Sequence, residues 1–263
     1  MITRNVKGVD ISALSLGTVQ LGLNYGIANQ AGKPDESASF DILSCALNSG
    51  VTALDTAIAY GNSEEVIGKW LKGVPEEKRP FVMTKVKHLD HSSLSALRKD
   101  VREQVALSKS RLGLDQLPLL MLHSCDEYDC DKENVTTVFN ELKQSGDIRF
   151  SGISAYSYHN YFDIAASGFD AVQIPLNIFD WGQIESGGLK ALNDAGMMVY
   201  VRSVYLQGLV FRDPDTLPEK MEFCREPLRK FHEFCREFGM SPAVLSMSYA
   251  LSLPGVTSLV LGS

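Results

Sequence analysis

Three ionisable residues each close an apolar run: Asp55 in "VTALD", Lys85 in "FVMTK" and His123 in "LLMLH". Tyr60 follows Asp55 by five residues in "LDTAIAYGNSE". A carboxylate at the end of a buried run needs a positive partner. A tyrosine with an ordinary pKa of about 10 exchanges protons poorly at neutral pH. An ammonium about 4 Å away, at an effective dielectric near 20, favours the phenolate by roughly 4 kcal/mol. That is about three pKa units as an upper bound. The four residues together read as machinery for protonating a carbonyl oxygen. Tyr60 is the proton donor, Lys85 adjusts it, Asp55 fixes Lys85, and His123 gives the carbonyl a hydrogen bond.

Each residue alone has a plainer reading. Asp55 fits a turn cap, Lys85 a side chain reaching for solvent, His123 a structural histidine and Tyr60 a loop aromatic. Those readings need three polar residues to fall by chance at equivalent points of consecutive apolar runs. Schiff-base lyase chemistry at Lys85 is a rival; it accounts for the lysine and leaves Tyr60 idle.

The elements that must position these groups alternate along the chain. Strand-like runs are "ALSLGTVQ", "VTALDTA", "PFVMTKV", "LPLLMLH", "IRFSGIS", "DAVQIPLN", "MVYVRS" and "TSLVLGS". Helical periodicity separates them, as in "SLSALRKDVREQVALSKSRLG" and "NVTTVFNELKQSGD". In "NSEEVIGKWLKG", Asn62 and Glu65 fit a capping box and Gly73 a stop. Eight strands, recurring about every 30 residues and continuously apolar, predict a parallel sheet covered on both faces. That many units favour a single-domain (β/α)8 TIM barrel over residues 1–263, with functional groups at the C-terminal strand ends. No linker or low-complexity tract divides the chain.

Composition narrows the partners. Of 263 residues, 44% are hydrophobic, and the net charge of −7 argues against nucleic acid or an anionic membrane as a partner. There is no signal-peptide pattern and no apolar run long enough for a membrane span, so a cytoplasmic protein is expected. The five cysteines, an odd number, are expected to be reduced thiols. His123, Cys125 and Cys130 match no usual zinc spacing, so no metal is expected. The expected partner is a small-molecule carbonyl substrate, and the expected state a monomer or weak homo-oligomer.

"LDTAxxYGNSE", the strand-end Lys85 and His123, "GIS" and "VQIPLN" resemble the aldo-keto reductases, and the similarity runs from "LSLGT" to "LVLGS". The resemblance implies NAD(P)H-dependent reduction of an aldehyde or ketone, or the reverse. The family's catalytic tetrad falls on Asp55, Tyr60, Lys85 and His123. Its cofactor, NADP(H) or NAD(H), lies across the barrel mouth without a Rossmann glycine motif. Neither that motif nor a Walker A sequence occurs here. The resemblance puts Gly17, Thr18 and Asp55 near the nicotinamide, and Ser154 and Gln173 on its carboxamide. It puts Arg202 against the nicotinamide ring, and Ser203 and Gly208 beside the pyrophosphate. Two departures stand out: Ala155 replaces a frequent Asn, and the sequence stops at Ser263, before the family's usual basic cofactor loop and closing helix. NADP(H) preference therefore stays open.

"TVQLGLNYGIANQAGKP" resembles a bacterial branch associated with sugar or surface-polysaccharide metabolism, which implies a sugar-like or other polar carbonyl. Tyr25 and Trp181, with Asn24 and Phe179, are candidate substrate walls; packing on neighbouring helices is their plainer reading. A nucleotide-binding regulatory barrel without efficient turnover is the other alternative.

Overall fold

A computed structural model describes residues 1–26 and 32–262. The chain opens with an antiparallel hairpin, β1 (Thr3–Val6) and β2 (Val9–Ser12), which the eight-strand expectation does not contain. Its turn, Lys7–Gly8, takes positive φ at both residues, and its short, partly exposed strands lack a continuous apolar run.

Eight parallel strands then close into a barrel: β3 (Leu14–Gly17), β4 (Ala53–Asp55), β5 (Phe81–Val86), β6 (Leu117–Leu122), β7 (Ile148–Ser154), β8 (Ala171–Pro175), β9 (Met198–Arg202) and β10 (Val256–Gly262). Strand β10 pairs with both β9 and β3, so the sheet has no free edge.

Helices cover the outside. Leu94–Leu112 is capped by Ser93 and stopped by Gly113 in the left-handed region, and Lys132–Gln144 is capped by Asp131. The stretch "GQIESGGLKALNDAG" forms two short helices, Gly182–Glu185 and Gly188–Asp194, separated at Gly187 with φ +80. The capping box at Asn62 does not form. The Asn62 side chain instead accepts a hydrogen bond from the Lys33 ammonium, and the helix Ser63–Leu71 starts without a side-chain cap.

Period-two alternation sorts each strand into an outward and an inward set. The inward set includes Ala53, Met83, Leu119, Met121, Ala171, Met198 and Tyr200, which form an apolar cluster inside the barrel. Ile11 of the hairpin joins that cluster fully buried, sealing the N-terminal end. One inward step further along the same strands stand Asp55, Lys85, His123, Gln173 and Arg202. The barrel thus changes from apolar filling to a polar layer at its C-terminal mouth. Among the described residues, no helix is long and apolar enough to cross a membrane.

Candidate active site

The polar layer is organised around one buried ion pair. Lys85 Nζ donates to Asp55 Oδ1 at 2.5 Å and to the Thr56 carbonyl at 3.0 Å. Gln173 Nε2 donates to the same Asp55 oxygen at 2.8 Å. Lys85 has no exposed surface and Asp55 is 4% exposed. Burial works against the lysine charge, but Asp55 and Tyr60 together hold its pKa above the ordinary lysine value. An ammonium so held has no lone pair to attack a carbonyl, which disfavours the Schiff-base alternative.

The Lys85 ammonium lies 5.1 Å from the centre of the Tyr60 ring, and the Tyr60 and His123 rings meet edge to face at 5.7 Å. Tyr60 is placed by backbone packing. The helix Val19–Gly22 passes so close that a Cβ on Gly22 would fall 1.7 Å from the Tyr60 carbonyl oxygen, so only glycine fits there. Behind this turn, buried hydroxyls lock the strand ends together. Thr18 Oγ1 donates to the Asp55 carbonyl at 2.9 Å, Thr56 Oγ1 donates to Ser63 Oγ at 3.0 Å, and the Ser63 backbone N–H donates to the Tyr60 carbonyl at 3.0 Å.

Glu64, 1% exposed, accepts a 2.6 Å bond from Thr84 Oγ1 and faces the Arg111 guanidinium at 3.4 Å. It supports the residue next to Lys85 from outside the barrel. Its signal in the sequence is position: Glu64, Ile67 and Leu71 share one helical stripe, so this acid sits on the apolar face.

Burial raises the Tyr60 pKa; Lys85 opposes the shift and Asp55 adds to it. The sequence argument expects the ammonium to win. Here desolvation outweighs it, and the phenol keeps its proton. For His123, burial, reinforced by the nearby Lys85 charge, pushes the pKa down to about 4. The ring is therefore neutral near pH 7 and retains one N–H to donate. Nuclear magnetic resonance titration of this imidazole should give a midpoint at about 4. A midpoint near the unfolded value of about 6.5 would show that burial does not depress this imidazole. The sign for stability follows: the unfolded chain takes up the proton first. Stability is full above about pH 6.5 and falls as the pH drops toward the folded value, by up to ~3 kcal/mol.

A cavity of about 800 Å³ opens at this mouth, a size suited to a small organic ligand. Asp55, Tyr60 and His123 line it, with Gly17 and Thr18 on one side and Ser154 and Gln173 on another. Lys85 lies beneath this lining. Arg202 also lines the cavity. Its Nη2 donates to the Ala155 carbonyl at 3.1 Å, and its guanidinium lies 4.6 Å from the centre of the Tyr156 ring. Ser203 and Gly208 bound a turn in which Ser203, Leu206, Gln207 and Gly208 all have positive φ. Backbone of this kind can turn successive N–H groups toward an anion. Gln20 Oε1 is buried beside the cavity with no hydrogen-bond partner among the described residues, an acceptor suited to a donor on a bound molecule.

The candidate substrate walls divide. Tyr25 lines the cavity. Trp181 does not: its indole N–H donates to the Ile178 carbonyl at 2.7 Å, and its exposed ring lines a separate apolar groove with Phe234 and Leu245. Phe179 packs edge to face on Phe231 at 5.4 Å, and Asn24 accepts from the Lys33 amide. Residues 27–31 of the stretch after the first strand lie outside the described residues.

The described cysteines are free thiols. Cys125, Asp129 and His159 bring possible ligand atoms within 4.8 Å of one another. His159 Nδ1 accepts from the Tyr156 amide, its Nε2 faces Asp126, and burial pushes the Cys125 thiol up to about 12. Both groups are thus committed to other roles.

A model described as "Aldo/keto reductase family" matches residues 13–263. An aldo-keto reductase of Bacillus subtilis is 31% identical over 186 residues, which is 68% of this chain and 54% of the relative's own length. A protein of Escherichia coli named NADH-specific methylglyoxal reductase is 27% identical, over 97% of this chain and 86% of that one. Among solved structures, the holo form of an aldo-keto reductase from Bacillus halodurans superposes with a TM-score of 0.77 at 24% identity, over 100% of this chain and 86% of the other.

Proposed function

The chain belongs to the aldo/keto reductase family, and on that premise we propose that it reduces an aldehyde or ketone to the alcohol with a nicotinamide cofactor. The observation that carries the proposal is the meeting of Tyr60 and a neutral His123 on one cavity, above the buried Lys85–Asp55 pair. The cofactor, when bound, supplies the hydride that reaches the carbonyl carbon.

The protein's own residues do the rest. Tyr60 delivers its proton to the carbonyl oxygen as the alkoxide develops. Lys85 stabilises the phenolate left behind, so the electrostatic help arrives when charge forms and not before. Asp55, held by Gln173, keeps Lys85 charged and pointed at the tyrosine. The His123 N–H orients the carbonyl. Ser154 and Gln173 would hold the nicotinamide carboxamide and Arg202 its ring, while the turn from Ser203 to Gly208 would face the pyrophosphate. Thr18 and Gly17 would flank the reacting end, and Tyr25 the substrate.

The donor set fits either NADP(H) or NAD(H). A small polar carbonyl, of the kind named for the Escherichia coli relative, suits the polar lining near His123 and Tyr25. Fluorescence titration of the chain with NADPH and, separately, NADH is the direct test. Saturable binding of at least one, at micromolar concentration or below, is expected. A folded sample that binds neither would remove the proposal.

A further inference from the structure

The turn that follows strand β7 is closed by one residue. His159 Nδ1 accepts the Tyr156 N–H at 2.9 Å, and the His159 backbone N–H donates to the Tyr156 carbonyl at 3.2 Å. Both backbone groups of Tyr156 are therefore held by His159. A backbone amide can only donate, so the imidazole proton sits on Nε2. There it is donated to Asp126 Oδ1 at 3.1 Å, and Ser124 Oγ donates to the other Asp126 oxygen at 2.6 Å. His159 is buried, and the Tyr158 ring covers it with centres 4.2 Å apart. Gln183, from the helix Gly182–Glu185, fastens the same turn by donating to the Ser157 carbonyl at 2.6 Å.

This turn presents the Tyr156 ring to the cavity. Tyr156 lines the mouth together with Arg202, whose guanidinium lies over the ring at 4.6 Å. Tyr158 extends the tier, its ring plane 7° from that of Tyr156 and the centres 5.5 Å apart. Arg202 Nη2 donates to the carbonyl of Ala155, the residue before Tyr156, at 3.1 Å. Among the described residues no carboxylate pairs with this guanidinium, whereas Arg98 has Glu141 and Arg229 has Asp215. One hydrogen bond leaves a guanidinium free to swing about it. A ring face against it removes that freedom, because both groups are planar and attract. The stack thus fixes the plane of Arg202 and leaves its charge unneutralised at the cavity wall.

We propose that Tyr156 is the positioning residue of Arg202, and that His159, through its grip on the Tyr156 backbone, sets the ring. The function proposed above places Arg202 against the nicotinamide. A guanidinium already ordered does not have to lose side-chain freedom when the nucleotide binds. The inference rests on that reading for the nucleotide, but the stack itself does not.

Two measurements keep them apart. The first needs no nucleotide: arginine side-chain signals are followed by nuclear magnetic resonance, with Arg202→Met identifying the Arg202 Nε–H. A ring face at this distance should displace that signal from those of exposed arginines. Tyr156→Ala should return it to their position, and Tyr156→Phe should leave it displaced. Tyr156 is 45% exposed, so its truncation leaves the core intact. His159→Leu should move the signal part of the way. Asp126→Ala, at a side chain 64% exposed, should move it in the same direction and less, since Nε2 loses its acceptor. A signal unmoved in Tyr156→Ala overturns the proposal. One unmoved in both His159→Leu and Asp126→Ala overturns the part given to His159.

The second compares Kd for whichever of NADPH and NADH binds more tightly. Tyr156→Ala should weaken binding about 3- to 10-fold, the range expected for ordering one long side chain. Tyr156→Phe should stay within about twofold of the unaltered protein. In the Arg202→Met background, Tyr156→Ala should add less than about twofold, because the two residues act as one unit. Equal losses in both backgrounds would make Tyr156 a direct nucleotide contact and overturn the positioning role, as would full affinity in Tyr156→Ala. A protein that binds neither nucleotide loses the reductase reading, while the first measurement still decides the stack.

Discussion

Tyr60→Phe is expected to lower kcat by about 10²- to 10⁴-fold, the usual contribution of a positioned general acid. Nucleotide affinity should stay within about twofold. The substitution removes one hydroxyl and keeps the ring, which packs against the Lys85 ammonium and the edge of His123. The backbone contact with Gly22 is untouched as well. A drop confined to kcat would place the lost interaction in the transition state. Unchanged turnover would show that another group supplies the proton. A protein that binds nucleotide but has no turnover to lose would favour a regulatory barrel. The direction of the Tyr60 shift adds a second readout. Because burial keeps the phenol protonated, kcat should not decline until the pH approaches or exceeds 10, the ordinary tyrosine value. A decline beginning near pH 8 would mean that Lys85 dominates in the working complex.

Asp55, Lys85 and His123 could be read from sequence because each breaks a rule of local composition: a charge ends an apolar run. Their common level follows from alternation, since Ala53, Met83 and Met121 are the inward residues two positions earlier. What that rule cannot supply is which neighbours hold the set in place. Ser63 and Thr18 look like ordinary cap and turn residues, and only closure of the barrel brings their hydroxyls together. Gly22 is one of many glycines until the Tyr60 carbonyl is seen against it. Asn62 has the right type and spacing for a cap, yet Lys33, distant in sequence, takes its side chain. Local chemistry lost there to a tertiary contact. The aromatic Trp181 illustrates the opposite error: residue type suggests a binding wall, but a rigid hydrogen bond to Ile178 turns the ring toward a different groove. The sign of the Tyr60 shift was also out of reach, because Coulomb's law gives the pull of one ammonium and says nothing of how much water the fold removes.

Lys85→Met should be costly twice, and the two costs can be separated. The side chains of the pair are 0% and 5% exposed, so the single change leaves a buried carboxylate facing only the Gln173 amide and its own surroundings. Breaking such a pair from one side destabilises by about 3–5 kcal/mol. For a chain of this size that is a loss of roughly 6–20 °C in Tm. Activity should fall with it, since the phenolate that forms at Tyr60 loses its counter-charge. The double variant Lys85→Met with Asp55→Asn removes the stranded charge, while the Asn carbonyl can still accept from Gln173. Replacing both members of a buried ion pair by neutral groups of similar size is often close to neutral for stability. Most of the lost Tm should therefore return. Activity should not, because an amide and a thioether offer nothing to a developing phenolate. Recovery of both would make Lys85 a folding element and leave Tyr60 to act alone. Recovery of neither would mean that the hydroxyl lock around Ser63 depends on the Lys85 bond to the Thr56 carbonyl, and that the pair organises the mouth as well as charging it.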